Sequence, residues 1–374
     1  MDTISRRAEA FRRLGPPAGS PESPLAGGAA VWSNTGMTPP HADEQSEFRQ
    51  DIISGRWVIF APERARRPLG QAKPQARQNV VRDVCPFCPG PTQDTPPPSY
   101  TFPTAGPWQV LVCPNKFPAV RAIAPDTRGL TLRLQLNQLP GFGVHELVIE
   151  GPDHFTDPTE LTDEVYRQVL LAYRQRIRTF AADERMDYVS VFKNVGAEAG
   201  ASMAHTHSQL IATPFIPNNV RDELAGAEAY FQRRKKCVFC DQIRSDRFGV
   251  ARLVAESAHF TVVCPFAPRF AYEMWVLPKA HASHFETIAD AEALELVLLL
   301  KRVLRALDAV ADVPAYNYYL HTAPLRADPS ASYHWHLEIV PRTARPAGFE
   351  WSTGVFINTV LPERAAHDLK AAAG

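Results

Sequence analysis

The sequence predicts an α+β fold made of two tandem copies of one unit, each an antiparallel sheet with a long helix packed on it. Two observations carry that expectation. Landmark residues recur in the same order in the two halves of the chain, and each half surrounds one stretch of helical periodicity with short β-branched runs.

The landmarks begin with two Cys-x-x-Cys pairs. Cys85-Pro-Phe-Cys88 aligns with Cys237-Val-Phe-Cys240, and Val110-Leu-Val-Cys-Pro114 with Thr261-Val-Val-Cys-Pro265. Glu146-Leu-Val-Ile-Glu-Gly-Pro-Asp-His154 then aligns with Glu273-Met-Trp-Val-Leu-Pro-Lys-Ala-His281, and His205-Thr-His207 with His334-Trp-His336. A single such match is weak. An ordered series at nearly equal spacing argues for duplication, with a first copy at 47–217 and a second at 218–374.

Residues 1–46 precede both copies. They carry Pro, Gly, Ser and Arg without periodicity and read as a disordered tail, with Met37 as a second candidate start. Residues 110–113 and 261–264 read as strands ended by a Cys-Pro turn, and 146–150 and 273–277 as further strands. Apolar residues at 161, 165, 169, 170, 173, 177 and 180 have helical spacing, with Thr162 or Asp163 as cap. A second helix is expected over 289–310. Residues 188–192 and 316–320 read as strands leading by a loop into each His-x-His segment.

Composition narrows the function. Lys+Arg and Asp+Glu are equal at 40 each, so no bulk charge draws the chain to nucleic acid or membrane. No apolar run reaches the ~20 residues of a membrane span, and the N-terminus lacks a secretory core, which together predict a cytoplasmic protein. Four of the six cysteines form the two Cys-x-x-Cys pairs, which in that compartment point to metal or redox chemistry. Pro89-Gly90-Pro91 directly follows the first pair and speaks against the helix start that a redox pair wants.

In an extended segment alternate side chains share a face, so His205, His207 and Gln209 point one way, as do His334, His336 and Glu338. Each copy offers two thiolates and two imidazoles for a tetrahedral zinc: Cys85, Cys88, His154 and His205 in the first, Cys237, Cys240, His281 and His334 in the second. Four protein ligands leave no open position, so about two structural zinc ions per chain are expected. The loop Asn194-Val-Gly-Ala-Glu-Ala-Gly-Ala-Ser202 is made of small residues that let backbone approach a phosphate, with Asn194 and Ser202 as donors. Its counterpart in the second copy has no Gly, which marks the first copy as the one that handles phosphate.

These residues resemble the galactose-1-phosphate uridylyltransferase branch of the histidine-triad (HIT) superfamily over roughly 48–374. The resemblance rests on the segment Asp51-Ile-Ile-Ser-Gly-Arg-Trp-Val-Ile-Phe-Ala-Pro-Glu-Arg-Ala-Arg-Arg-Pro68, on Cys85-Pro-Phe-Cys88, Pro114-Asn-Lys-Phe-Pro118 and Phe192-Lys-Asn194, and on Gly200-Ala-Ser-Met-Ala-His-Thr-His-Ser-Gln209 and Gly348-Phe-Glu-Trp-Ser-Thr-Gly354. It implies two tandem HIT-like domains and a homodimer. It implies His207 as the nucleophile that takes a nucleoside monophosphate, with Gln209 beside it where hydrolases of the superfamily carry a third His. Asn194, Ser202 and Gln209 match phosphate-binding positions. Arg64, Arg67, Asn115, Lys116 and Phe117 fall in the segments that hold the nucleotide, and Phe349 and Glu350 in the one that holds the sugar phosphate.

The implied reaction is ping-pong exchange: UDP-glucose and galactose 1-phosphate give UDP-galactose and glucose 1-phosphate through a uridylyl-histidine. The chain departs from the family's His-Pro-His-Gly-Gln with His205-Thr-His-Ser-Gln209, a variant similar to plant-type ADP-glucose phosphorylases. Adenylyl transfer or phosphorolysis of ADP-glucose is therefore the alternative, followed by a nucleotide hydrolase and a non-enzymatic nucleotide-binding zinc protein. Some members bind iron at the second metal site, which maps to Glu223, His321, His334 and His336; the intact Cys237 and Cys240 favour zinc.

Overall fold

The computed structural model describes residues 45–66, 82–122, 141–244, 249–311 and 315–374. The expected tail lies outside these apart from its last two residues. A short strand β1 (Glu47–Gln50) pairs antiparallel with β2 (Trp57–Phe60). A large mixed-order sheet follows, made of β3 (Tyr100–Phe102), β4 (Val110–Pro114), β5 (Val144–Glu150), β6 (Tyr188–Val195) and β7 (His207–Thr213) from one half of the chain. The other half supplies β8 (Leu253–Glu256), β9 (Phe260–Val263), β10 (Met274–Pro278), β11 (Tyr316–His321) and β12 (His336–Pro341). Near the C-terminus β13 (Phe356–Asn358) runs parallel to β2.

The ten strands β3 to β12 form one antiparallel sheet in the order β3-β4-β5-β7-β6-β11-β12-β10-β9-β8. The order read from either edge inward is the same once the halves are matched, β3 to β8, β4 to β9, β5 to β10, β7 to β12 and β6 to β11. The seam is the antiparallel pair β6–β11, in which Asn194 faces Asn317, Lys193 faces Tyr318 and Phe192 faces Tyr319.

One face of the sheet is covered by two long helices, α1 (Asp163–Ala181) and the helix Asp290–Ala311. Thr162 caps α1 by accepting the Val165 N–H at 3.2 Å, one of the two caps expected from the sequence. The main core lies between helices and sheet: Tyr166, Val169, Leu170 and Ile177 of α1 meet Val148, Val189 and Leu210 of the strands. Each fully buried aliphatic or aromatic side chain of this kind stabilises by ~1.5–3 kcal/mol.

The opposite face of the sheet carries the histidines. It is covered in the second half by α2 (Asn218–Arg234) and α3 (Val238–Arg244), so that the Asp290–Ala311 helix is α4. The segment between β1 and β2 rests on α2 so closely that a Cβ at Gly226 would stand 1.7 Å from the Ile53 carbonyl oxygen. Only glycine fits there. Two further helices, α5 (Gly348–Thr353) and α6 (Pro362–Ala373), close the chain. Residues 47–60 therefore pack with the C-terminal end of the chain: Val58 and Phe60 cluster with Ala267, Phe266 and Leu361, and Arg49 pairs with Glu363 at 2.8 Å.

Candidate active site and metal centres

His205 ends the loop before β7, and His207 begins the strand. The loop turns at Gly196 and Gly200, with φ of 81° and 84°, a region in which side chains with a Cβ are strained. Pairing of β5 with β7 places Ile149 opposite His207 and Leu147 opposite Gln209, so both polar side chains project from the face away from α1.

The His207 ring is fixed by its own chain. Nδ1–H donates to the His205 carbonyl at 2.8 Å, because a carbonyl can only accept. In the neutral ring the lone pair is then on Nε2. Phe87, from inside the first Cys-x-x-Cys pair, packs edge-on against this ring with centroids 5.2 Å apart. His207 is buried, and burial, reinforced by the Lys193 ammonium, lowers its proton affinity against the pull of the carbonyl bond.

A polar cluster lies beneath the strand, between sheet and helix. Lys193 Nζ, fully buried, donates to Glu150 at 2.5 Å, to Thr206 Oγ1 at 2.6 Å and to the His207 carbonyl at 3.1 Å. Thr206 also donates to Glu150 at 2.9 Å, and Ser208 joins Glu150 and the Tyr173 hydroxyl. Tyr173 in turn meets Tyr318 at 3.0 Å. Burial pulls the Lys193 ammonium below its ordinary range while Glu150 opposes the shift. Thr206 and Ser208, the two positions where His205-Thr-His-Ser-Gln209 differs from the family's pattern, are thus both bound into this ion pair. Sequence reading missed Lys193 and Glu150; their place inside otherwise apolar strand runs was the available signal.

Two of the residues expected to donate to phosphate, Gln209 and Asn194, lie on the histidine face. Gln209 Oε1 is taken by His145 at 2.8 Å, which leaves the Gln209 NH2 group to project into the site. Asn194 Oδ1 accepts from Asn317 Nδ2 at 2.7 Å, so its Nδ2 is likewise the outward donor. Asn317 also donates to the Ala199 carbonyl at 2.8 Å and accepts from Arg342 at 2.5 Å, tying the glycine loop of one half to a strand of the other. A cavity of about 390 Å³ opens along the seam; Asn194, Phe192, Asn317, Tyr319 and Arg342 line it, whereas His207 and Gln209 are not among its lining residues.

Asn115 stands next to His145, its Nδ2 3.2 Å from the ring. Lys116 is exposed and paired with Asp94 at 2.5 Å, and Phe117 is 83% exposed. Ser202 and Arg64 are exposed, the latter in a short 3-10 turn at Pro62–Arg66. Arg67 lies outside the described residues. Phe349 and Glu350 are on α5, where Phe349 is half exposed and Glu350 caps the helix by accepting the Ala347 N–H at 2.9 Å. Arg345, just before α5, forms an ion pair with Glu198 of the glycine loop at 2.6 Å, so this segment approaches the loop within one chain.

Both Cys2His2 sets come together, each with its four donor atoms within 4.8 Å of one another. In the first, Cys88 Sγ is 3.3 Å from His154 Nδ1 and 3.4 Å from His205 Nδ1, and Cys85 Sγ is 3.7 Å from His205 Nδ1. In the second, Cys240 Sγ is 3.2 Å from His281 Nδ1 and 3.5 Å from His334 Nδ1. A tetrahedral zinc with ordinary bond lengths separates sulfur from nitrogen by about 3.6 Å, so the donors fit such an ion. The far nitrogens are held alike: His205 Nε2 donates to the Gly151 carbonyl at 3.0 Å and His334 Nε2 to the Pro278 carbonyl at 2.9 Å. Such outer bonds leave Nδ1 free for metal.

A third group, Glu223, His321, His336 and Glu338, also falls within 4.8 Å. The iron alternative had drawn on Glu223, His321, His334 and His336. The structure separates these, since His334 sits with the cysteines and Glu338 takes the fourth place. His336 repeats the pose of His207, with Nδ1 on the His334 carbonyl at 3.1 Å and Phe239 packed on its ring at 5.0 Å. Its surroundings differ. His336 Nε2 is buried without a hydrogen-bond partner, 3.8 Å from Glu338 and 4.0 Å from Glu223. Burial opposes ionisation of Glu338, but Arg269, His321 and His336 outweigh it and hold its carboxyl well below the usual carboxylate range. Two carboxylates in place of an amide repel a phosphate.

Comparison with known proteins adds the context. The profile of the family described as galactose-1-phosphate uridyl transferase, N-terminal domain, matches residues 37–217, and that of a domain of unknown function, DUF4921, matches 143–372. An ADP-glucose phosphorylase of Arabidopsis thaliana is 38% identical over 334 residues, covering 87% of this chain and 92% of its own. A galactose-1-phosphate uridylyltransferase of Thermotoga maritima is 27% identical over 87% of this chain and 98% of its own. Among solved structures, an Arabidopsis thaliana ADP-glucose phosphorylase with bound ADP-glucose gives a TM-score of 0.76 at 36% identity, over 87% of this chain and 99% of that one. A uridylyltransferase gives 0.66 at 28%, over 88% and 98%.

Proposed function

The chain belongs to the galactose-1-phosphate uridylyltransferase family, whose named members are enzymes, and on that premise we propose that it moves a nucleoside monophosphate from a nucleotide sugar to a phosphate acceptor through His207. One observation carries the reading. His207 has its Nδ1 proton bound to the His205 carbonyl and an amide, Gln209, two residues on along the same face.

In the first half-reaction the Nε2 lone pair attacks the α-phosphorus. The bond from that phosphorus to the bridging oxygen breaks, and the hexose 1-phosphate leaves with the electron pair. In the second, a phosphate oxygen of the acceptor attacks the same phosphorus and the P–N bond returns its electrons to Nε2. The acceptor oxygen is already anionic near neutral pH, so no strong base is needed. Gln209 and Asn194 donate to the non-bridging oxygens as charge shifts onto them. Residues 47–217 serve as the catalytic half and 218–374 as its partner. Two structural zinc ions, held by Cys85, Cys88, His154 and His205 and by Cys237, Cys240, His281 and His334, would cross-link the loops that carry each His-x-His. Iron, if held at the second site instead, would fall to Glu223, His321 and His336 with Glu338. The reading extends to a cytoplasmic homodimer; among the described residues no helix is long and apolar enough to cross a membrane.

Two substrate pairs fit. One is uridylyl exchange between UDP-glucose and galactose 1-phosphate. The other is adenylyl transfer from ADP-glucose, which the 38% identity to an ADP-glucose phosphorylase and the Thr206 and Ser208 variant favour. Intact-mass measurement after incubation with UDP-glucose and, separately, ADP-glucose decides between them. A uridylate or an adenylate on the protein names the base; failure of both to leave an adduct, with no turnover of either, overturns the covalent mechanism.

A further inference from the structure

We propose that His145 is a positioning residue that couples the segment holding the nucleotide to the reacting phosphorus by fixing which way Gln209 faces. The proposal rests on the transfer reading above and concerns a residue to which that reading gives no part.

His145 is the second residue of β5. The strand register puts it opposite Ile211, diagonal to Gln209 on the histidine face. It is buried, 8% exposed, and both ring nitrogens are engaged. Nδ1 receives the backbone N–H of Ala119 at 3.1 Å, and a backbone N–H can only donate. Nδ1 is therefore bare, and in the neutral ring the proton sits on Nε2. That Nε2 is 2.8 Å from Gln209 Oε1. The chain of donors fixes the Gln209 amide with oxygen toward His145 and NH2 toward the site, the orientation in which it can donate to a phosphoryl oxygen.

The second arm reaches the nucleotide segment. Asn115 N–H donates to the His145 carbonyl at 2.8 Å, and Asn115 Nδ2 lies 3.2 Å from His145 Nε2. Asn115 Oδ1 accepts the Phe117 N–H at 2.9 Å, which turns its NH2 toward His145; since Nε2 also carries a hydrogen, the two side chains are in contact there without a hydrogen bond, and the backbone bond is what ties Asn115 to His145. The ring proton goes to Gln209, at 2.8 Å the shorter of the two side-chain contacts at Nε2. One imidazole thus spans the 115–119 segment and Gln209. Nucleotide binding there would set the alignment of the donor at the reaction centre, which directs binding energy into the transition state.

Two measurements test this. Nitrogen-15 NMR of the ring in the full-length, metal-loaded protein should show the Nε2–H tautomer; the Nδ1–H tautomer overturns the proposal. Single-turnover nucleotidylation with the nucleotide sugar that labels the wild type should slow about 10–100-fold in His145→Phe, less than the loss of a whole oxyanion donor. KM should change less than about threefold, with metal content kept. His145→Gln, which retains a side-chain N–H for Gln209, should recover most of the rate. An unchanged rate in His145→Phe sinks the idea, as does a loss of metal and melting temperature that His145→Gln fails to rescue. If the wild type itself forms no adduct, the transfer reading fails, and the tautomer measurement still decides what holds Gln209.

Discussion

A ring nitrogen becomes a nucleophile when its partner nitrogen holds the proton and the ring is kept from turning. His207 and His336 both meet those conditions, through equivalent carbonyl bonds and a packed phenylalanine, edge-on at His207 and tilted at His336, so the ring proton alone does not tell them apart. Charge does. Gln209 offers donors beside His207, whereas Glu223 and Glu338 flank His336. His207→Asn should therefore abolish adduct and transfer, a loss on the order of 10⁴-fold or more. His336→Asn should still label. Peptide mapping of the trapped nucleotide checks both, and a label on His336 reverses the assignment. His-x-His and Cys-x-x-Cys were legible in the sequence because those residue types at those spacings have few other uses. His145 was not: it precedes the apolar run that marked its strand, and only the register of β5 against β7 reveals that it reaches Gln209.

β7 is a strand with two jobs, one for each face. Its outward residues His207 and Gln209 are those to which the proposed transfer assigns the chemistry, while Thr206 and Ser208 anchor it to Glu150 and Lys193 underneath. Breaking that buried pair leaves one charge without its partner, so Lys193→Met should cost about 3–5 kcal/mol in urea unfolding. The double replacement Lys193→Met with Glu150→Met removes both charges and should recover much of the loss; a double variant as unstable as the single one would show that packing, not charge, dominates there. At the other end of the element, Cys85→Ser should lower zinc content and melting temperature together, since Cys85 and His205 lie in one donor set. Full zinc retention by inductively coupled plasma analysis would remove Cys85 from the ligands. Alternation predicted the face of His205, His207 and Gln209 correctly. It said nothing of depth, and a buried Lys–Glu pair cannot be read from alternation alone.

For the whole molecule, duplication was legible because each copy keeps the same landmarks in order. What the alignment could not give was the junction. The two halves do not sit as separate bodies with a linker but share one sheet, and Asn317 of β11 reaches across to hold Asn194 and the glycine loop. Asn317→Ala should slow adduct formation by about 10–100-fold, the order that a misplaced binding group costs, although it lies in the half that does not carry His207. A rate equal to wild type would mean that the loop holds itself. Removal of residues 1–36 should leave rate and melting temperature unchanged, because both copies lie beyond it; a fall in either shows the tail docked on the body.

The seam also bears on how such a chain can evolve. Cut after residue 217, β6 would lose its neighbour β11 and present a row of bare amides and carbonyls at an open edge. A fragment of that kind should pair with itself or precipitate. Once that edge is spent on the second half of the chain, the residues on the second half's histidine face can drift, but the half itself cannot be deleted without baring β6. Such a fusion would work as a ratchet: on the His207 reading, Glu in place of Gln beside His336 costs nothing, whereas loss of the strand that carries it costs the sheet.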